Sequence, residues 1–181
     1  VSSLLALQSA QIDDPNTKEA MLAGQNRVHS IGIVHQKLYQ GTNLGAVEMK
    51  DYFINLSESI LDSFCAEKRV TIECAMDQLD VDIDTAVPLG LIVNELLTNT
   101  LKYAFPEGQP GKVPIKLQKQ TDGALHLEVS DDGVGKSGIT QGTGFGGQLV
   151  SLLTQQLGGS MREEVKNGTR IYFEFKPFKA A

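Results

Sequence analysis

Residues 94–103 read NELLTNTLKY. They continue the apolar run VPLGLIV (87–93), so the two stretches together predict one helix over about 84–103. At 100° per residue, Glu95, Asn99 and Lys102 fall within about 60° of one another. Leu89, Val93, Leu96 and Ala104 lie on the other side. Asn94 is about 100° off the polar stripe, which leaves it outside a core site and at most an edge contact. Taken alone, this is what any amphipathic surface helix looks like, with the polar face simply wet. The alternative is that the stripe holds something, and the rest of the chain has to decide between the two.

Downstream, VPIKLQKQ puts Val113, Ile115 and Leu117 on one face of a strand, and LHLEVS does the same with Leu125, Leu127 and Val129. TDG between them fits a hairpin turn. A glycine-rich stretch (132–147) precedes a helix over about 148–157, QLVSLLTQQL, which Gly158 and Gly159 close. SMREEV and TRIYFEFKPF, joined through KNG, read as two final strands. Upstream, Tyr52, Phe53, Leu56, Ile60, Leu61 and Phe64 predict a helix over about 48–67. RVTIEC follows as a half-buried strand, and LDVDI as a short second one. From about 47 onward this is an α+β chain: a mixed sheet, mostly of antiparallel hairpins, with three helices on one face and a polar face that water can cover.

The N-terminal part is helical. Val1, Leu4, Leu5 and Leu7 mark a short amphipathic helix end. IDDPNT (12–17) breaks it, with Asp14 and Thr17 as capping candidates. Met21, Leu22, Val28, Ile31, Val34 and Leu38 then predict a second helix over 18–39. Two helices with a short polar turn suggest an antiparallel hairpin. GTNLGA (41–46) sets the expected boundary, giving a hairpin at 1–45 and a second domain at 46–181. The chain opens on Val in mid-helix pattern, which reads as a fragment of something longer.

The 181 residues are 41% hydrophobic and 21% charged, enough for a real core in one large domain or one domain plus an appended element. A net charge of −6 argues against a duplex-DNA or anionic-membrane surface, while leaving room for a local basic site toward phosphate. Cys65 and Cys74 have neither CxxC spacing nor a histidine at ligand spacing, so they read as free thiols. No apolar run approaches the roughly 20 residues of a membrane helix, and no signal peptide is visible.

Three further stretches bear on chemistry. SDDGVG (130–135) places an acidic residue at a strand end before Gly-x-Gly. Asp131 is positioned there to accept from an exocyclic amine, with backbone passing close to a flat ligand; an ordinary acidic turn is the plainer reading. GTGFGG (142–147) stands directly before a helix, where free N–H groups attract anions. It lacks both the βαβ setting of a dinucleotide fingerprint and the Lys-Ser/Thr end of a P-loop, so a plain loop is its alternative. NGTR (167–170) opens the last strand and by itself is a turn.

The order of these pieces carries more than any one of them. NELLTN, DDGVG, GTGFG and GT, in that order over about 47–178, resemble the ATP-binding domain shared by sensor histidine kinases, gyrase-type topoisomerases, mismatch-repair ATPases and the large heat-shock chaperones. The resemblance implies the two-layer α/β sandwich of that superfamily. NELLTNTLKYAF, with its trailing Lys and aromatic, is most similar to the histidine kinase N-box. VSSLLALQSAQIDDPNTKEAMLAGQNRVHSIGIVHQKLYQ resembles the dimerisation and phosphoacceptor hairpin of the subfamily with an HHRVKNN-type acceptor motif. That subfamily places its acceptor before the segment resembling VSSLLALQS, which implies an acceptor upstream of Val1. His29 and His35 sit on the second helix, where the family has no acceptor; His35 is expected to pack or hydrogen-bond, and His126 to face solvent. The lid departs from the family pattern at Gly147, usually aliphatic.

The resemblance also implies roles. Glu95 is the base or orienter, Asn99 a neutral oxygen ligand for Mg²⁺, and Lys102 a point charge for phosphate. Asp131 reads the adenine amino group with Thr169 supporting it, and Tyr103 lines the nucleotide site. Gly133, Gly135, Gly142, Thr143, Gly144 and Gly146 form the nucleotide-binding and lid segments. The implied function is the catalytic core of a cytoplasmic sensor histidine kinase. It binds ATP and Mg²⁺, phosphorylates a histidine, passes the phosphoryl group to a response-regulator receiver domain, and dimerises through the N-terminal helices. Its rivals are a non-enzymatic phosphotransfer module with a vestigial ATP domain, an anti-sigma-type Ser/Thr kinase, and a gyrase-like ATPase, the last disfavoured by the hairpin.

Overall fold

The computed structural model of the chain describes residues 13–40, 46–135 and 145–176. The helix expected at 1–11, and with it the hairpin pairing, lies outside the described residues. The first described helix, α1 (Pro15–Gln40), starts as the breaker predicts: Asp14 accepts from the Thr17 backbone N at 2.8 Å and from the Thr17 hydroxyl at 2.5 Å, with Pro15 next.

A three-residue strand, β1 (Ala46–Glu48), leads into α2 (Met49–Ser63). Glu48 caps α2, accepting from the backbone N of Lys50 at 3.2 Å and of Asp51 at 2.7 Å. The helix stops four residues short of the expected 67. Cys65 turns into the left-handed region (φ 48°) and Ala66 N returns to the Leu61 carbonyl at 2.9 Å, which closes the last turn. β2 (Val70–Met76) follows, then β3 (Asp80–Asp82), which pairs antiparallel with β1 as a separate ribbon. Asp82 caps the long helix α3 (Ile83–Tyr103) through Thr85 N at 2.7 Å.

β4 (Gly111–Lys119), β5 (Leu125–Ser130), β6 (Gly159–Lys166) and β7 (Gly168–Phe175) join β2 in a five-stranded sheet of order β2-β4-β5-β7-β6. Only β2 and β4 run parallel. α4 (Phe145–Gln156) connects β5 to β6. It starts three residues before the expected 148, so both Gly146 and Gly147 lie in its first turn.

The period-2 patterns hold. Val113, Ile115, Leu117, Leu125, Leu127 and Val129 are all buried, packed in one core with Phe53, Leu56, Leu89 and Leu97 of α2 and α3. The opposite sheet face is polar: Lys116 and Arg170 reach Glu128 at 3.3 and 3.5 Å, and Arg162 lies over the Tyr172 ring at 4.7 Å. The result is the expected two-layer α+β arrangement. Val34 of α1 belongs to the same core, and the buried Tyr52 hydroxyl donates to the Ser30 carbonyl at 3.3 Å, so α1 is packed onto α2 and α3.

Candidate active site

β5 delivers Asp131 to a cleft between the sheet and α3, lined by Leu96, Asn99, Ala104, Asp131, Thr169 and Ile171 among others. The end of β5 and the start of β7 lock this carboxylate in place. Asp131 N donates to the Thr169 carbonyl at 2.9 Å. Asp131 Oδ1 accepts from Gly133 N at 2.9 Å and from Thr169 N at 3.3 Å, and the Thr169 side chain adds a bond. Burial pushes the Asp131 carboxyl up from the ordinary aspartate range, while these hydrogen bonds oppose the shift. A carboxylate has about four acceptor sites, so Asp131 keeps capacity for a ligand donor.

Gly168 makes this possible. Its φ is +101°, and a Cβ there would collide with the Asp131 carbonyl oxygen. The Gly-Thr pair is therefore more than a turn: glycine lets β7 start against Asp131, and Thr169, 4% exposed, then bonds it. On the far side the loop after β5 rests on the end of α3. Gly133 packs on Ala104, Val134 N donates to the Ala104 carbonyl at 3.0 Å, and Gly135 lies against Gly168.

The polar stripe of α3 is not a wet face. Glu95 is only 5% exposed. Arg27 of α1 grips it at two points, Nε to Oε1 at 2.6 Å and Nη2 to Oε2 at 2.9 Å. Asn94, read as an edge residue, is 2% exposed: its Oδ1 accepts from Ser30 Oγ at 3.1 Å, and its Nδ2 lies 3.4 Å from Glu95 Oε1. The solvated reading fails because α1 covers this flank of α3. Gly146 in the first turn of α4 comes so close that a Cβ there would sit 2.7 Å from Glu95 Oε2.

The other expected site residues spread around this centre. Asn99 shares the Asp131 cleft. Lys102 lines a different groove, with Pro15, Lys18, Leu22 and Phe64. Tyr103 is 37% exposed and does not line the Asp131 cleft. Gly142, Thr143 and Gly144 lie outside the described residues. His29, His35 and His126 are exposed, His126 on the polar sheet face. Arg27 was missed altogether. It stands between Asn26 and Val28, and nothing local marks a partner on another helix.

The donor chemistry beside Asp131 is of the kind ATP with Mg²⁺ uses, while the crevice itself is closed to about 10 Å³ in this arrangement. Asn99 offers one neutral side-chain oxygen beside the Asp131 cleft, and Mg²⁺ takes such hard oxygens while keeping waters and phosphate ligands. Among the described residues no three His, Cys, Asp or Glu side chains converge to hold an ion by themselves. A metal that arrives with a nucleotide needs no such cage. Also among the described residues, no helix is long and apolar enough to cross a membrane.

Comparison with known proteins identifies the family. Residues 84–179 match the family described as histidine kinase-, DNA gyrase B-, and HSP90-like ATPase, and residues 1–64 match a histidine kinase family. The sensor histidine kinase PdtaS of Mycobacterium tuberculosis is 27% identical over 178 residues, 94% of this chain and 35% of that protein. The chain thus spans about a third of the length of that curated relative. An anti-sigma F factor of Geobacillus is 26% identical over 140 residues, 70% of this chain and 90% of that one. The histidine kinase domain of the blue-light-activated kinase EL346 from Erythrobacter litoralis superposes with a TM-score of 0.75 at 23% identity, over 96% of this chain and 82% of that one, and so shares the fold. The chain belongs to the histidine kinase-, DNA gyrase B- and HSP90-like ATPase family, in the arrangement of a sensor histidine kinase, with a histidine kinase helical region ahead of the ATPase domain.

Proposed function

We propose that the chain is the catalytic core of a cytoplasmic sensor histidine kinase. In this reading it binds ATP with Mg²⁺ and directs the γ-phosphoryl group to a histidine, from which an aspartate on a response-regulator receiver domain takes it. The observation that carries the proposal is the shared cleft of Asp131 and Asn99, with Thr169 fastened to Asp131. In this reading Asp131 is the base-reading carboxylate and Asn99 the metal-ligand amide, and both line the one cleft.

Phosphoryl transfer asks a protein for positioning and charge neutralisation more than for covalent chemistry. Mg²⁺, when bound, would supply charge neutralisation to the phosphates. Asp131 accepts from the adenine amino group and fixes the register of the nucleotide. Asn99 would hold the metal by its side-chain oxygen. Lys102, one turn further along α3, supplies positive charge to the phosphates, and Glu95 takes or steers the acceptor's proton. Gly142, Thr143, Gly144 and Gly146 belong to the lid. Residues 1–45 serve dimerisation and phosphotransfer, and 46–181 catalysis. The histidine kinase match at 1–64 supports a homodimer through the N-terminal helices.

The anti-sigma F similarity favours a second reading, a Ser/Thr kinase on the same nucleotide fold. The histidine kinase match at 1–64, which includes all of α1, supports the first. A titration with a fluorescent ATP analogue tests the shared requirement. Saturable binding strengthened by Mg²⁺ is expected, and its absence would leave only a phosphotransfer module with a vestigial ATP domain.

A further inference from the structure

One guanidinium ties together three elements. Arg27 lies on α1, and its partner Glu95 lies on α3. Its carbon Cζ sits 4.9 Å above the ring of Phe145, the first residue of α4. Phe145 is 64% exposed, and the guanidinium covers part of its ring. Around Glu95 the space is filled: Arg27 occupies both carboxylate oxygens, Asn94 Nδ2 approaches Oε1, and the backbone of Gly146 closes on Oε2. Ser30 and Asn94 fix the register of α1 one turn further along.

A base must lie within hydrogen-bonding reach of the proton it takes. With both oxygens held by Arg27 and 5% of the residue exposed, Glu95 meets neither an imidazole nor an attacking water in this arrangement. The two-point, charge-assisted geometry is also the strong form of such a contact. We propose that Arg27 is a restraining latch: while α1 is docked, it withholds Glu95 from chemistry and holds the start of α4 beside it. A shift of α1 along or about its axis withdraws the guanidinium, frees the carboxylate and releases Phe145 in the same movement. Arg27 is thus a positioning residue that acts through Glu95. The inference rests on the catalytic reading of Glu95 given above.

The chain has no tryptophan, so Phe145→Trp gives a single reporter at the latch. In that background Arg27→Ala is expected to red-shift the emission and increase quenching by acrylamide. In a chain extended at its N-terminus to carry the acceptor histidine, Arg27→Ala is expected to raise the rate of phosphoryl transfer to that histidine at saturating ATP by about fivefold or more, with KM for ATP changed by no more than about twofold. The gain disappears in the Arg27→Ala, Glu95→Gln double variant. If Arg27→Ala folds poorly, Arg27→Lys keeps the charge and loses the two-point grip, and a smaller gain in transfer rate is expected. A reporter that ignores Arg27, or a transfer rate that stays level or falls in a folded variant, overturns the latch. No label from γ-labelled ATP on any variant of the extended chain overturns the catalytic reading and the latch's function with it. That outcome is distinct from an active extended chain that gains nothing on loss of Arg27.

Discussion

Arg27 and Glu95 meet through two parallel hydrogen bonds of 2.6 and 2.9 Å, across the contact between α1 and α3. The pair makes Glu95 structural and chemical at once, and the two parts separate experimentally. Glu95→Gln keeps the shape and one acceptor but removes the base. In a chain extended to carry the acceptor, phosphoryl transfer is expected to fall by about 10²–10⁴-fold, while affinity for the ATP analogue changes little. Urea unfolding is expected to show a loss of about 1–3 kcal/mol, because a charged partner is withdrawn from a largely buried guanidinium. An equal loss of affinity and transfer would place Glu95 in nucleotide binding instead.

Asp131 gives a pH signature. Burial raises its pKa, so protonation sets in at a higher pH than for an ordinary aspartate. The protonated acid is a poorer acceptor for the adenine amino group. Affinity for ATP should therefore be full at neutral pH and decline as pH falls through this raised value. Asp131→Asn should lower affinity about 10–100-fold at neutral pH, the worth of a hydrogen bond to a charged group. It should also remove that part of the pH dependence, measured by analogue titration across the acidic range.

Gly168→Ala tests the seating of Asp131. The substitution forces a positive φ on a residue with a Cβ and drives that Cβ into the Asp131 carbonyl. A stability loss of at least about 2 kcal/mol is expected, read as a fall of roughly 4–8 °C in Tm. Nucleotide affinity should drop with it, since Thr169 shifts. Gly24→Ala on α1, where an added Cβ meets nothing within 4 Å, is the control and should cost no stability.

Asn99→Ala separates base recognition from metal binding. It should remove most of the strengthening that Mg²⁺ brings to ATP binding. Adenosine binding, which needs Asp131 but no phosphate, should be unchanged. Calorimetric titration with and without Mg²⁺ measures both.

Much of this was legible in the sequence, and the failures have physical causes. Alternation at 113–117 and 125–129 reported the sheet because one face is buried and the other wet, which is when period 2 is visible. Asp14 was legible as a cap because capping needs particular side chains at particular offsets. β1 was not, since three residues contain no period. The end of α2 was overrun because Phe64 continues the apolar pattern, while Cys65 leaves the helix at a positive φ that no glycine announces. In the site, Asp131, Thr169 and Asn99 could be nominated because their boxes occur in order. Arg27 and the burial of Asn94 could not. Both depend on how α1 lies on α3, a contact between positions far apart in the chain. A helical wheel computed for α3 alone treats its uncovered side as water.

The most direct test is phosphoryl transfer itself. A chain extended at its N-terminus to include the acceptor helix would be incubated with γ-labelled ATP and Mg²⁺, and the label on protein measured after acid and after base. The account predicts label that is lost in acid and kept in base, as for phosphohistidine, and sharply reduced in both Glu95→Ala and Asn99→Ala. Acid-stable label, or label undiminished in both variants, would contradict it.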